Sequence, residues 1–284
     1  MKNYFLRELF IIRCFFRLLQ RDFKKYFTVG GITYWLGASG LYPSAKPTYF
    51  FCRYVDDLAD GDRKLPRGYK NFESFVQRMK TLVETGNTGD LTNIERVLAD
   101  AVNKLCRKSA NHTVIKQELS DFLDSMLIDY NRRIHTTVLT QSELDRLYDR
   151  SFSAVLQLTF IGTGTELDRA HITRLGLIQG KLYGLQDLHE DLVSGIINLP
   201  QELISATGMS LKQITAAPAS LEQNEAFQQW RSDELTICYD YLQALQSLDA
   251  DKKVKKIISI LTDPLAVYLK QEMAMLNKPD LQLS

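Results

Sequence analysis

The stretch Tyr49-Phe-Phe-Cys-Arg53-Tyr-Val-Asp56-Asp57-Leu-Ala-Asp60 reads as a helix. Residues four apart share one helix face, so Asp56 and Asp60 stand together, with Tyr49 and Arg53 seven and three residues ahead of Asp56 on that side. Phe50, Phe51, Val55 and Leu58 mark much of the same helix as buried. A phenol, a guanidinium and two mutually repelling carboxylates in an apolar setting are more than a wet surface requires. A solvated face or an N-terminal dipole partner is the competing reading.

Further along, Gly180-Lys-Leu-Tyr183-Gly184-Leu-Gln186-Asp187-Leu-His-Glu190-Asp191 repeats the spaced pair as Asp187 and Asp191. Gly176, Gly180 and Gly184 run up one side of this helix, although each glycine in a helix interior costs about 1 kcal/mol relative to alanine. Either a second helix packs closely there or the glycines clear room for a bulky ligand.

The remaining segments show spacing near 3.6 residues and little strand-like alternation, which predicts an all-α chain. Capping boxes mark helix starts at Thr92 with Glu95, Thr140 with Glu143, Ser210 with Gln213, and Ser220 with Gln223. Stops are expected at Gly86 to Gly89, around Ser109 to Asn111, at Gly162 to Gly164, at Asn198-Leu199-Pro200 and near Ala217-Pro218. No linker, internal repeat or low-complexity tract divides the chain, so residues 1–284 are read as one domain, a helical bundle with inward-facing functional groups.

Composition agrees. The 284 residues are 45% hydrophobic and 24% charged, with 15 Gly and 7 Pro, which excludes a disordered chain, a collagen-like repeat and a disulfide-stapled mini-protein. Lys and Arg number 35 against 34 for Asp and Glu, a net charge of +1 that gives no global reason to expect nucleic acid. Cys14, Cys52, Cys106 and Cys238 are scattered without C-x-x-C spacing, which suits a reducing compartment. Leu9 to Ile12, the longest unbroken apolar run at the N-terminus, is too short for a signal-peptide core or a membrane span, and a cytoplasmic location follows.

Residues 1–28 form a basic amphipathic segment. Arg7, Arg13, Arg17, Gln20, Arg21, Lys24 and Lys25 share one arc of the wheel, while Phe5, Leu9, Ile12, Phe16 and Leu19 lie largely outside it. It reads either as a first helix packed on the body or as a peripheral contact with an anionic membrane.

Two Asp-x-x-x-Asp pairs brought to one cavity would make a strongly negative, all-oxygen site that needs cations at neutral pH. Carboxylates without Cys or His partners favour Mg²⁺, which keeps part of its shell for water and phosphate oxygens. Arg53, and less directly Lys181, would neutralise remaining phosphate charge. There is no phosphate-loop, H-E-x-x-H or G-x-S-x-G signature, and His112, His135, His171 and His189 lack metal-ligand spacing.

On these two clusters the sequence resembles the squalene/phytoene synthase family, the head-to-head branch of the all-helical isoprenoid synthases. Residues 49–60 match the family's first aspartate motif almost residue for residue, and Asp187-Leu-His-Glu-Asp191 followed by Gly195-Ile-Ile-Asn-Leu-Pro200 resembles the second with its trailing Gly-Arg-x-Tyr-x-Pro. Leu123-Asp-Ser-Met126 with Asp129 is similar to the family's Ile-Asp-Gly-Met segment, and Tyr148 falls where the family opens a helix with tyrosine.

The resemblance implies an isoprenoid-synthase bundle around a central cavity, with Asp56, Asp60, Asp187 and Asp191 binding Mg²⁺ and through it the diphosphates. It also implies that Tyr49 and Arg53 touch a diphosphate, that Tyr148 lines the cavity near the reacting carbons, and that Thr33-Tyr34 stand in for the family's N-terminal Ser-Phe. Tyr183 and Gln186 take positions where the family commonly has Asn and Arg, and are assigned to substrate binding; Gln before the Asp resembles bacterial hydroxysqualene synthases. Ile196 replaces the trailing Arg, and Asp149-Arg150 replace Cys-Tyr.

The expected reaction joins two farnesyl or geranylgeranyl diphosphates through a cyclopropylcarbinyl diphosphate, with Phe50, Tyr148, Phe152 and Phe160 as cation-stabilising faces. The product is of squalene, dehydrosqualene or phytoene type. NADPH use stays open, because the family's reductases bind it without a dinucleotide fingerprint. A class I terpene cyclase using one prenyl diphosphate, and a non-catalytic assembly or binding member, are the rival readings. A monomer is expected, since no heptad extends beyond the bundle.

Overall fold

The computed structural model describes residues 2–21, 37–86 and 90–276. Lys24, Lys25 and the Thr33-Tyr34 assignment lie outside the described residues. Among the described residues every regular element is helical, as the periodicity predicts. Contacts group them into two compact units, Met1–Tyr130 with Ala154–Glu166, and Asn131–Ser153 with Leu167–Ser284.

The first unit contains α1 (Lys2–Arg21), α2 (Ala45–Ala59), α3 (Phe72–Thr85), α4 (Asn93–Cys106), most of α5 (His112–His135) and, after an excursion of the chain, α7 (Ala154–Thr163). Its hub is α4, on which α1, α2, α3 and α7 all pack. The sequence explains why. Ile94, Val97, Leu98, Ala101 and Leu105 follow the helical period and are all buried, each larger side chain contributing about 1.5–3 kcal/mol. The helix starts at the expected box, with the Thr92 N–H donating to Glu95 Oε2 at 2.6 Å and the Glu95 N–H to Thr92 Oγ1 at 3.4 Å. A box at Asn71 and Ser74, absent from the sequence reading because Ser takes the place of Glu or Gln, starts α3.

The second unit contains the end of α5, then α6 (Gln141–Tyr148), a π-helical turn (Asp149–Ser153), α8 (Arg169–Gln186), α9 (Leu188–Ser194), α10 (Gln201–Thr207), α11 (Leu211–Ala216), a 3₁₀ turn (Pro218–Gln223), α12 (Glu225–Gln246) and α13 (Lys252–Leu276). Here α8 packs against the π-helical turn, α12 and α6, and α12 in turn against α13. A smaller cluster of Leu188, Leu192, Ile197, Leu199, Leu203, Ile214, Leu221 and Phe227 fixes the short helices.

The boxes at Thr140 and Ser210 form as expected. The one at Ser220 does not: Pro218 starts a 3₁₀ turn, Ser220 donates to the Ala217 carbonyl, and Asn224 caps α12 by accepting from the Phe227 N–H. Chain reversals occur at the expected Gly86 and Gly164, whose φ values of 74° and 65° suit glycine. Among the described residues no helix is long and apolar enough to cross a membrane.

Candidate functional site

Helix α2 builds the first carboxylate pair. Phe50, Phe51, Val55 and Leu58 are buried as expected, which seats the helix and leaves Tyr49, Arg53, Asp56 and Asp60 half-buried along one side. Asp56 lies in the last turn and Asp60 is the C-cap, its N–H donating to the Asp56 carbonyl at 2.9 Å. Carboxylates at a helix C-terminus oppose the macrodipole. The dipole-partner reading therefore fails, because these acids stand at the wrong end.

Neighbouring charges sort the acids by role. Asp57 is buried and paired with Arg53 at 2.7 Å and Arg63 at 3.2 Å, so the fold absorbs it. Arg53 also reaches Asp56 Oδ2 at 2.5 Å. The Asp60 carboxyl is pushed well above its ordinary range, first by burial and then by the charge of Asp56; Arg53 offsets part of this, while Asp129 and Asp62 add to it. Negative potential collects there, which a bound cation would offset. Tyr49 sets its ring edge-to-face on Phe50 at 5.2 Å.

The second pair straddles a joint. Helix α8 ends at Gln186, Asp187 adopts φ −96° and ψ 6°, and α9 starts at Leu188. The expected single helix is thus broken, yet the Asp191 N–H still donates to the Asp187 carbonyl at 2.9 Å, which keeps the four-residue register. Both carboxylates are half-buried. Asn198 Nδ2 donates to Asp191 Oδ2 at 2.8 Å, and Arg132 Nη2 donates to Asn198 Oδ1 at 3.1 Å.

Aromatic rings lie close by. Tyr183, partly exposed, stacks on Phe152 at 6.1 Å, and Phe152 meets Tyr148 edge-on at 6.3 Å. Burial and then the Asp187 charge raise the Tyr183 phenol. Gln186 is exposed. Tyr268 is pushed up to about 12 by burial and then Glu272, with Asp187 contributing.

Residues 44–268 match the family model described as Squalene/phytoene synthase. The chain belongs to the squalene/phytoene synthase family. The matched span includes both Asp pairs, and the helical architecture is that of the all-α isoprenoid synthases. A search of curated proteins and a search of solved structures each returned no match. The activity characteristic of the family is prenyl transfer, the head-to-head condensation of prenyl diphosphates.

In this family member one expectation changes and one open choice closes. Lys181 is not an open phosphate ligand: its side chain is 2% exposed, and Nζ lies 2.6 Å from Asp145 Oδ1 and 2.7 Å from Glu234 Oε2. Gln141 and Trp230 extend the network, Gln141 Nε2 donating to Asp145 and Trp230 Nε1 to Gln141 Oε1. The glycines make room for protein rather than for ligand. A Cβ at Gly176 would lie 2.0 Å from Ser153 Oγ, one at Gly180 2.4 Å from Tyr148 Cγ, and one at Gly184 2.9 Å from the Tyr148 hydroxyl.

Sequence reasoning gave no site role to Arg132, Asn198 or Tyr268. Arg132 and Tyr268 carry no motif, and Asn198 was read only as part of the trailing segment after Asp191; their contacts reveal them. Among the described residues no three His, Cys, Asp or Glu side chains gather into a self-sufficient metal site. Carboxylate pairs of this kind would suit a hard cation that completes its shell with water and phosphate oxygens.

Proposed function

We propose that this protein condenses two allylic prenyl diphosphates, farnesyl or geranylgeranyl, through a cyclopropylcarbinyl diphosphate to a squalene-, dehydrosqualene- or phytoene-type hydrocarbon. The observation that carries the reading is the first Asp pair. Asp56 and Asp60 are half-buried at the unfavourable end of α2, within the family span, and the Asp60 carboxyl is raised first by burial and then by the Asp56 charge, which a bound cation would balance.

Each residue has a role in this account. Asp56 with Asp60, and Asp187 with Asp191, would each hold Mg²⁺, which when bound would supply charge neutralisation to a departing diphosphate. Tyr49 and Arg53 bind a diphosphate, the guanidinium being already oriented by Asp56 and Asp57. Tyr148 and its neighbours Phe152 and Tyr183 offer ring faces to the allylic cation and keep water from it. Gln186 and Tyr183 contact substrate beside Asp187. The quench, by proton loss, hydride from NADPH or water, names the product.

We place the enzyme in the cytoplasm as a monomer that touches membrane through α1. Phe5 and Phe16 are 64% and 59% exposed there, and Arg13 and Arg17 are exposed beside them. Incubation with each diphosphate, with and without NADPH, read by product mass, tests the reaction. One product per two substrates is expected. One product per substrate makes the protein a cyclase, and no turnover makes it non-catalytic.

A further inference from the structure

The geometry points to a positioning device behind Asp191: buried Arg132, acting through Asn198, sets the orientation of the carboxylate that receives the cation. The inference rests on the proposed metal role of Asp191 and assigns new roles to two residues outside the Asp motifs.

Arg132, near the end of α5, is 2% exposed. Its Nη2 donates to the Ile197 carbonyl at 2.5 Å and to Asn198 Oδ1 at 3.1 Å. Guanidinium only donates, so it holds the oxygen end of the Asn198 amide and excludes the flipped amide. The NH₂ end then faces the other way, where it lies 2.8 Å from Asp191 Oδ2. With the amide reversed, two donors would face at Arg132 and two acceptors at Asp191. One buried cation thereby decides that a neutral amide presents a donor to the carboxylate.

The backbone makes the device rigid. After α9 the chain turns at Gly195, φ 88°, and the Ile196 N–H donates back to the Asp191 carbonyl at 2.9 Å. Ile197 and Leu199 are fully buried on either side of Asn198, and the Gln201 N–H donates to the Leu139 carbonyl at 2.8 Å. The backbone that carries Asn198 is therefore held in place, and Arg132 and Asp191 hold its side-chain amide between them. Arg132 stands to the carboxylate as the hydrogen-bond partners of metal-ligating side chains commonly do, and loss of such partners costs about 10–100-fold in metal affinity.

The test is Mn²⁺ binding, followed by electron paramagnetic resonance in the presence of inorganic pyrophosphate, on wild type, Asp191→Asn, Asn198→Leu, Arg132→Lys and the double variant Asn198→Leu with Arg132→Lys. Melting temperatures are recorded in parallel. Asp191→Asn should lose a class of Mn²⁺ sites, and Asn198→Leu should weaken that class by about tenfold while remaining folded. Arg132→Lys should weaken it too, but add nothing once Asn198 is Leu.

Wild-type Mn²⁺ affinity in Asn198→Leu, with Asp191→Asn defective, overturns the positioning role and leaves the metal role standing. Additive effects of the two changes also overturn it, because Arg132 then does not act through Asn198. Unchanged binding in Asp191→Asn removes the metal role itself, and the positioning role with it.

Discussion

Gly180 lies against the face of Tyr148 so closely that a methyl group at position 180 would stand 2.4 Å from the ring's Cγ. The ring takes its place from the glycine, and α8 and α6 meet at a distance that no other residue permits. Gly180→Ala is expected to lower the melting temperature, because overpacking of about 1–3 kcal/mol exceeds the gain of about 1 kcal/mol in helix propensity. Gly176→Ala should cost at least as much, since it meets the Ser153 backbone nitrogen at 2.8 Å. At Gly184 only the hydroxyl interferes, so Tyr148→Phe should relieve Gly184→Ala and leave Gly180→Ala unrelieved. Thermal melts of the two double variants decide this.

Lys181 joins α8 to α6 and α12 through Asp145 and Glu234. Burial raises the Glu234 carboxyl, and Lys181 holds that rise in check. Lys181→Met strands two carboxylates and should cost about 3–5 kcal/mol in denaturant unfolding. Adding Glu234→Leu should return much of that loss. If Lys181→Met instead leaves stability intact and raises KM, the lysine serves phosphate after all.

The helical class and the four-residue register of the Asp pairs were legible because each rests on local spacing. The buried stripe of α4, the box at Thr92 and the four-residue Asp pairs need no knowledge of distant sequence. Two readings turned on contacts far along the chain. Gly180 admits a ligand or a ring equally well until Tyr148 is seen beside it, and Lys181 is a phosphate ligand until Asp145 and Glu234 close on it. Asp187 looked like the middle of a helix because nothing in Gln186-Asp187-Leu188 announces a joint. Ser220 has the letters of a capping box, but Pro218 had already committed that segment to a 3₁₀ turn.

Acid should weaken the first unit through Glu95. Burial works to raise this carboxyl, but the Thr92 backbone N–H and Arg78 hold it below its ordinary 4.5. A depressed carboxylate contributes stability above the unfolded value, and that contribution is lost as pH falls through the folded value. Glu8, held down against burial by Lys46 and Arg7, acts in the same direction. Glu95→Gln should be less stable than wild type near neutrality, and the gap should close as pH falls below the ordinary 4.5 and through the lower folded value. A gap independent of pH, measured by denaturant unfolding, would assign the loss to packing instead.

The membrane contact proposed for α1 predicts salt-sensitive sedimentation with vesicles containing anionic lipid. Replacing Phe5 and Phe16 with Ala should reduce binding to such vesicles without affecting the melting temperature, because both rings are largely exposed. Replacing Arg13 and Arg17 with Gln should remove the salt dependence. Equal binding to neutral vesicles would contradict the electrostatic part.

The most direct measurement follows product formation from farnesyl and from geranylgeranyl diphosphate by wild type, Asp56→Asn and Asp187→Asn, with Mg²⁺ or with EDTA, after melts show that all three are folded. The account predicts a head-to-head product of twice the substrate's carbon number in wild type with Mg²⁺, NADPH being supplied for a hydride quench. Both variants and the EDTA sample should fall by at least about a hundredfold, the scale of losing an electrostatic catalytic group. Full activity in either Asp variant, or a product carrying only one substrate's carbons, would contradict it.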